Sequence, residues 1–214
     1  MASLAPEVMW IEAGTGSVVE LGRVPDLDRY SAIAVGPGLG GGQPFPPHTE
    51  MALSALWQSV SVPAVYDADA LGVRLPRPAA ERVVTPHPGE AARMCGVTSA
   101  DIEADRFGAV ARLVGPSVTA LLKGQHTLVA AEGRPISING TGSPALSTAG
   151  SGDVLTGVIG ALLARGVAGY DAARLGAYVH GLAGDLLAAR RSEGWRAGDI
   201  ARTVPQAIEQ VLST

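Results

Sequence analysis

The chain has 214 residues, 47% hydrophobic and 17% charged, with a formal net charge of −4. Such a chain can bury a sizeable core, which excludes global disorder, and it corresponds to one domain (residues 1–214) at about 100–200 residues per domain. The acidic balance excludes the basic stripe of a nucleic-acid binder, and a single cysteine, Cys95, excludes an internal disulfide framework and fits a reducing compartment.

The opening stretch, Met1 to Trp10, has no charged region followed by an apolar run, so no signal peptide is expected. Ser31–Val35 reads as a short apolar strand running into Gly36-Pro37-Gly38-Leu39-Gly40. Pro47–Val60 reads as a helix and Pro63–Tyr66 as the next strand, ending at Asp67-Ala68-Asp69. Arg82–Thr85 is a further strand, ending at Pro86-His87-Pro88-Gly89-Glu90. A helix from Gly89 to Met94 closes at Gly96. Another starts near Thr98, with Thr98 or Ser99 as N-cap and Asp101 and Glu103 in the first turn, where the helix dipole favours acids. Val118–Lys123 and Thr127–Ala131 predict a hairpin joined through Gly124-Gln125-His126, and Pro135–Asn139 predicts a strand at a sheet edge. Gly152–Arg165 predicts a helix that is apolar on nearly all sides and therefore buried. Its most apolar part, Val154 to Ala164, is too short to span a bilayer, so a soluble cytoplasmic protein is expected. Asp171–Arg191 and Gly198–Leu212 predict the last helices.

Short strands alternating with helices predict an α/β fold with a mostly parallel sheet covered on both faces. The Gly, Pro, His and Asp clusters fall just after strands, at their carboxyl ends, where open α/β sheets bind ligands.

The strongest chemical feature is Thr148-Ala149-Gly150-Ser151-Gly152-Asp153-Val154-Leu155-Thr156-Gly157. Two glycines precede a helix whose first turn holds an aspartate. Glycines let backbone N–H groups turn inward, and a helix amino end adds positive potential, so the segment can form an anion hole for a phosphate in transfer. An aspartate beside that hole can take a proton from an acceptor hydroxyl. Taken alone, an ordinary glycine-rich loop before an acidic helix start fits equally well. No Gly-Lys-Ser/Thr follows, so this is not a Walker loop.

Ala149-Gly150-Ser151-Gly152-Asp153 resembles the anion-hole signature of ribokinase-like kinases. The longer run Asn139 to Gly157 is similar to one family in that class, the ADP-dependent NAD(P)H-hydrate dehydratases. Val35–Gly40, Asp67–Leu71, Thr85–Glu90 and Lys123–Thr127 agree in the same order, and His180-Gly181-Leu182-Ala183-Gly184-Asp185 resembles the family's late helix. The resemblance runs from about Pro6 onward and implies a ribokinase-like three-layer α/β/α sandwich.

The resemblance also implies an activity: ADP or ATP, with Mg²⁺, phosphorylates the hydroxyl of hydrated NADH or NADPH, and phosphate then leaves. Asp153 would deprotonate that hydroxyl, while Gly150, Ser151 and Gly152 would stabilise the migrating group. Gly40, His87 and Asp153 would contact the hydrate. Lys123, Gly124, Gln125, His126 and Thr127, with Gly152, would hold the nucleotide, the Lys123–Thr127 segment taking its AMP portion. Read without the family, Gly40 is a flexible strand-to-helix turn, His87 a capping histidine between prolines, and Lys123 a solvated turn lysine. An Asp-x-Asp after a strand holds Mg²⁺ through water or caps its loop; the structural role is expected of Asp67 and Asp69, and no residue is assigned as a metal ligand. His180 reads as a satisfied core histidine and Cys95 as packing.

Family members carry an earlier strand–helix–strand unit of roughly 30 or more residues. Pro6-Glu7-Val8-Met9 here resembles the segment after it, so an N-terminally truncated chain is expected. Ser143 and Ser147 stand where asparagine and alanine are usual. A homo-oligomer, with a tetramer as one form, and a functional link to an NAD(P)H-hydrate epimerase are implied by resemblance. The competing readings are a ribokinase-like kinase of a vitamin-precursor alcohol and an inactive nucleotide-binding remnant.

Overall fold

The computed structural model describes residues 26–39, 45–72 and 77–213. Gly40 and the segment around Pro6 lie outside them.

The described strands are β1 (Ile33–Val35), β2 (Ala64–Tyr66), β3 (Arg82–Val84), β4 (Val118–Leu122), β5 (Leu128–Ala130) and β6 (Ser137–Ile138). They form one sheet in the order β1-β2-β3-β4-β5-β6, parallel from β1 to β4 and antiparallel from β4 to β6. The β4–β5 hairpin matches the expected turn at residues 124–126. The edge strand shrinks from the expected five residues to the pair Ser137–Ile138, with Ile138 exposed.

Side chains alternate across a strand, so a sheet covered on both sides needs apolar residues at every position. The strands obey this except at Arg82, Thr119 and Ser137. Ala64, Tyr66, Val84, Ala120, Leu122, Leu128 and Ala130 enter one core. Val65, Val83, Leu121 and Val129 enter the other. The first core is closed by α1 (Pro47–Ser59), α2 (Pro88–Cys95), α3 (Ser99–Ala104) and α4 (Arg106–Arg112) through Trp57, Ala91, Ile102 and Val110. The second is closed by α5 (Ser151–Ala164) and α6 (Gly169–Ala188) through Leu155, Ile159, Leu163, Tyr170 and Ala173. The last helix, α7 (Ala197–Leu212), packs on α6 through Ile200 and Ala207 against Ala183 and Leu187.

Local signals set the helix ends. Gly96 ends α2 in the left-handed conformation (φ 68°), as a C-terminal glycine does. The Thr98 side chain accepts from Asp101 N, and the Asp101 carboxylate accepts from Thr98 N, a reciprocal cap at the start of α3. The Thr98 hydroxyl, donating to Asp101 Oδ2 at 2.7 Å, and then the Thr98 amide hold the Asp101 carboxyl below the usual carboxylate range. The helix begun at Thr98 does not run on. Asp105 leaves the helical region (φ −140°) and its carboxylate accepts from Gly108 N at 2.8 Å, ending α3 and capping α4. The expectation that α5 is wholly buried is also corrected. Asp153, Gly157, Ala161 and Ala164 face solvent, because the outer face of this helix is made of small residues rather than large ones.

Among the described residues, no helix is long and apolar enough to cross a membrane.

Candidate functional site at the carboxyl ends of the strands

The site begins at the amino end of α5. Gly150 precedes the helix with φ 82°, a conformation that disfavours any residue with a Cβ. Ser151 is buried, Gly152 is half-buried and Asp153 is exposed. The amides of Gly152 and Asp153 have no carbonyl within their own helix to bond, which leaves donors and the positive end of the helix dipole facing outward. A Cβ at Gly150 would lie 3.9 Å from Asp153 Oδ2, so the carboxylate leans over the same loop. It makes no hydrogen bond or ion pair with the described residues. An exposed, unpaired carboxylate beside free amides can take a proton from a bound hydroxyl.

A cationic group lies directly behind. The Lys123 ammonium, at the end of β4, is 2.7 Å from Asp67 Oδ1 and 3.6 Å from Glu90 Oε2. Asp67 follows β2 and is 1% exposed; its other oxygen accepts from the Thr156 hydroxyl on α5 at 2.7 Å. A Cβ at Gly152 would sit 3.4 Å from the ammonium nitrogen and 3.5 Å from Asp67 Oδ2. Lys123 is therefore not the solvated turn lysine that its local sequence suggests. Gly36, after β1, packs against the Asp67 backbone without room for a side chain. Lys123 N donates to Pro86 O at 2.8 Å, which joins the segment after β3. Clusters from four strand ends and α5 thus meet in one place.

The segment from Asn139 to Ser147 explains the length of the glycine-rich signature. It crosses from β6 to α5 as a strap lying on α6. Asn139 Nδ2 donates to Ala177 O at 3.2 Å, Thr141 Oγ1 to Tyr178 O at 2.9 Å, and Ser143 Oγ to Gly184 O at 3.0 Å. Gly142 N donates to Asp185 Oδ2 at 3.0 Å. A side chain at Gly181 would collide with Thr141. One turn away, His180 Nε2 lies 3.0 Å from Ser151 O and 3.2 Å from Ser151 Oγ. Burial pushes the His180 ring down to about 4, against the Ser151 hydrogen bond and with the Lys123 charge adding to the push, so the ring is neutral near pH 7. A carbonyl only accepts, so the ring proton sits on Nε2 and is donated to Ser151. His180 is a satisfied buried histidine, as expected, but what satisfies it is Ser151 in the glycine-rich segment.

A family profile described as NAD(P)H-hydrate dehydratase matches residues 2–206. The chain belongs to the NAD(P)H-hydrate dehydratase family. It is similar to the ADP-dependent (S)-NAD(P)H-hydrate dehydratase of Neisseria meningitidis serogroup B, with 42% identity covering 92% of this chain and 66% of that one. It is also similar to the bifunctional NAD(P)H-hydrate repair enzyme of Moorella thermoacetica, with 40% identity covering 86% of this chain and 36% of that one. Among solved structures, the ADP/ATP-dependent NAD(P)H-hydrate dehydratase of Bacillus subtilis co-crystallised with ATP/Mg²⁺ superposes with a TM-score of 0.73 at 29% identity, covering 84% of this chain and 64% of that one. The chain thus spans less than two thirds of the length of these relatives. Ribokinase-like proteins of lower similarity share the architecture, so the sandwich is ribokinase-like.

Within this family member, the residues singled out from sequence separate into three groups. Gly150, Ser151, Gly152, Asp153 and Lys123 converge. His87 lies at the rim with half its side chain exposed: Nδ1 accepts from Gly89 N at 3.0 Å and Glu90 N at 3.3 Å, capping α2, while Nε2 is 3.4 Å from Glu90 Oε1. The capping role is therefore present, and Nε2 faces the Glu90 carboxylate while half of the side chain stays exposed. Gly124, Gln125 and His126 form the exposed hairpin turn, with Thr127 Oγ1 donating to Gly124 O at 3.1 Å and Arg106 Nη2 donating to Lys123 O at 3.3 Å. Glu90, Thr156 and Asp185 were missed. Glu90 carried a signal, three residues after the N-cap His87; Thr156 and Asp185 carried none that a single sequence displays.

Proposed function

We propose that this chain performs the ADP- or ATP-dependent dehydration of hydrated NADH and NADPH, returning the reduced nicotinamide. The observation that carries the reading is the unpaired Asp153 carboxylate at the mouth of the α5 amino end, with the Lys123 ammonium against Gly152. The names of the relatives support the same chemistry.

In this reading Asp153 takes the proton of the ring hydroxyl, and the oxygen attacks the terminal phosphoryl group of the nucleotide. The bond to the leaving AMP or ADP breaks as the new P–O bond forms. The Gly152 and Asp153 amides and the helix dipole stabilise the charge on the migrating group. Hydroxide leaves poorly and phosphate well. The ring nitrogen's electron pair then expels phosphate, and loss of a proton from the adjacent ring carbon restores the double bond. His87 contacts the hydrate with the exposed half of its ring, Gly40 is a second contact, and the turn at residues 124–127 receives the nucleotide.

Mg²⁺ would neutralise phosphate charge during transfer. No group of three His, Cys, Asp or Glu gathers among the described residues, and both Asp67 oxygens are already engaged. These residues fit an ion held chiefly by nucleotide phosphates and water, not a protein cage. A homo-oligomer and an epimerase partner belong to the same proposal; bifunctional relatives support a linked repair activity.

The test is to incubate the protein with hydrated NADH or NADPH, ADP or ATP, and Mg²⁺, and follow absorbance at the reduced-nicotinamide band. Recovery that depends on the nucleotide is expected. Nucleotide binding with no recovery would overturn the reading.

A further inference from the structure

We propose that Lys123 acts on the migrating phosphoryl group rather than on the AMP portion of the nucleotide, and that Asp67 is the residue that positions it. This rests on the phosphoryl-transfer reading and deepens it by dividing one sequence segment between two tasks.

The backbone at Lys123 leads into the exposed turn, but its side chain runs the other way. It folds back over the strand ends to within 2.7 Å of Asp67, and a Cβ at Gly152 would touch its nitrogen at 3.4 Å. The ammonium is therefore beside the anion-hole backbone. The Lys123 side chain is 20% exposed, so it is not sealed from solvent. An ammonium has three donors. One is given to Asp67 at 2.7 Å, Glu90 lies at ion-pair distance, 3.6 Å, and a donor is left for a ligand oxygen.

Asp67 has the arrangement of a positioning residue. It is 1% exposed and each oxygen takes one short hydrogen bond. One goes to Lys123. The other goes to Thr156, one turn along α5 from Gly152. A single carboxylate thus ties the cation to the same helix whose amino end provides the amides, and fixes the distance between these two sources of positive potential. Such geometry matters most where charge develops, because preorganised donors need no rearrangement during reaction.

Calorimetric titration of ADP and AMP separates the two tasks, since AMP lacks the transferable group. Wild type binds ADP more tightly than AMP. Lys123→Met lowers ADP affinity about tenfold or more while AMP affinity stays within about twofold, the loss expected for a hydrogen bond to a charged group. Equal losses for both ligands would return Lys123 to the AMP portion and overturn the proposal. Asp67→Asn lowers kcat roughly tenfold with KM for the hydrate within about twofold. Thr156→Val moves kcat and the ADP-to-AMP ratio in the same direction, and Thr156→Ser, which keeps the hydroxyl, restores both. Loss of thermal stability in Asp67→Asn with kcat and the ratio unchanged would make Asp67 a fold residue only. If Asp67→Asn does not fold, the Thr156 pair decides: a wild-type ratio in Thr156→Val refutes positioning. Should wild type bind ADP but not turn over the hydrate, the dehydratase reading falls while the ADP-to-AMP comparison still judges Lys123.

Discussion

The two ends of the sheet each hold a cation, and they hold it differently. At the amino ends of the strands, Arg82 is 0% exposed and its guanidinium donates to four carbonyls, those of Val62, Glu81, Trp57 and Val60, at 2.6 to 3.1 Å. It lies 5.9 Å from the Trp57 ring centroid and near the buried Tyr66 hydroxyl, which burial raises to about 12 and which has no partner among the described residues. At the carboxyl ends, Lys123 meets two carboxylates and keeps an open side. Carbonyls enclosing a cation tie off the end of α1 and a loop. Carboxylates holding a cation at a rim preserve its charge for something that arrives. Burial alone does not mark function; Arg82 also keeps an Nε unpaired among the described residues, but it is sealed from solvent, whereas the Lys123 side chain is not.

The comparison breaks or sharpens under four measurements. Asp153→Asn should lower kcat roughly a thousandfold, about 4 kcal/mol of barrier, with nucleotide affinity within about twofold; normal turnover would leave the carboxyl end without its base. Arg82→Met should cost about 3–5 kcal/mol in denaturant unfolding, since four carbonyls lose their donor, while kcat of the folded fraction stays at the wild-type value. A selective fall in kcat there would erase the distinction between the ends. His180 gives a pH signature. Its ring titrates near 4 when folded and at about 6.5 when unfolded, so the unfolded chain binds the extra proton between those values. Stability present above pH 6.5 should fall by up to about 3 kcal/mol as pH drops toward 4, and His180→Asn should flatten that part of the curve. Equal slopes in both proteins would refute the assignment. Thr98→Ala, at the start of α3 and far in kind from the ligand end, should cost about 1 kcal/mol with kinetics unchanged.

The parts legible in sequence were those that local chemistry decides. Gly96 as a left-handed stop, Thr98 as a cap, the β4–β5 turn and the glycines before Asp153 all act within a few residues. Alternation of faces was legible only as continuous apolar runs, which still sufficed for a two-sided sheet. What escaped depends on distance along the chain. Asp67 and Lys123 are 56 residues apart and Asp67 and Thr156 are 89 apart, so no spacing rule joins them. Arg82 read as a strand residue because nothing local shows that four carbonyls will surround it. The break at Asp105 was missed because a helix-compatible run of residues hid a side chain that caps the next turn.

The strap across α6 has a further consequence. It is seated by bonds to the Ala177, Tyr178 and Gly184 carbonyls of that helix and by the Asp185 carboxylate, and the start of α5 beyond it is pinned by His180 at Ser151. The backbone at the start of α5 therefore inherits its coordinates in part from α6. Drift of α6 would carry the strap and the loop before Asp153 with it, so the helix behaves as the datum from which that loop is measured.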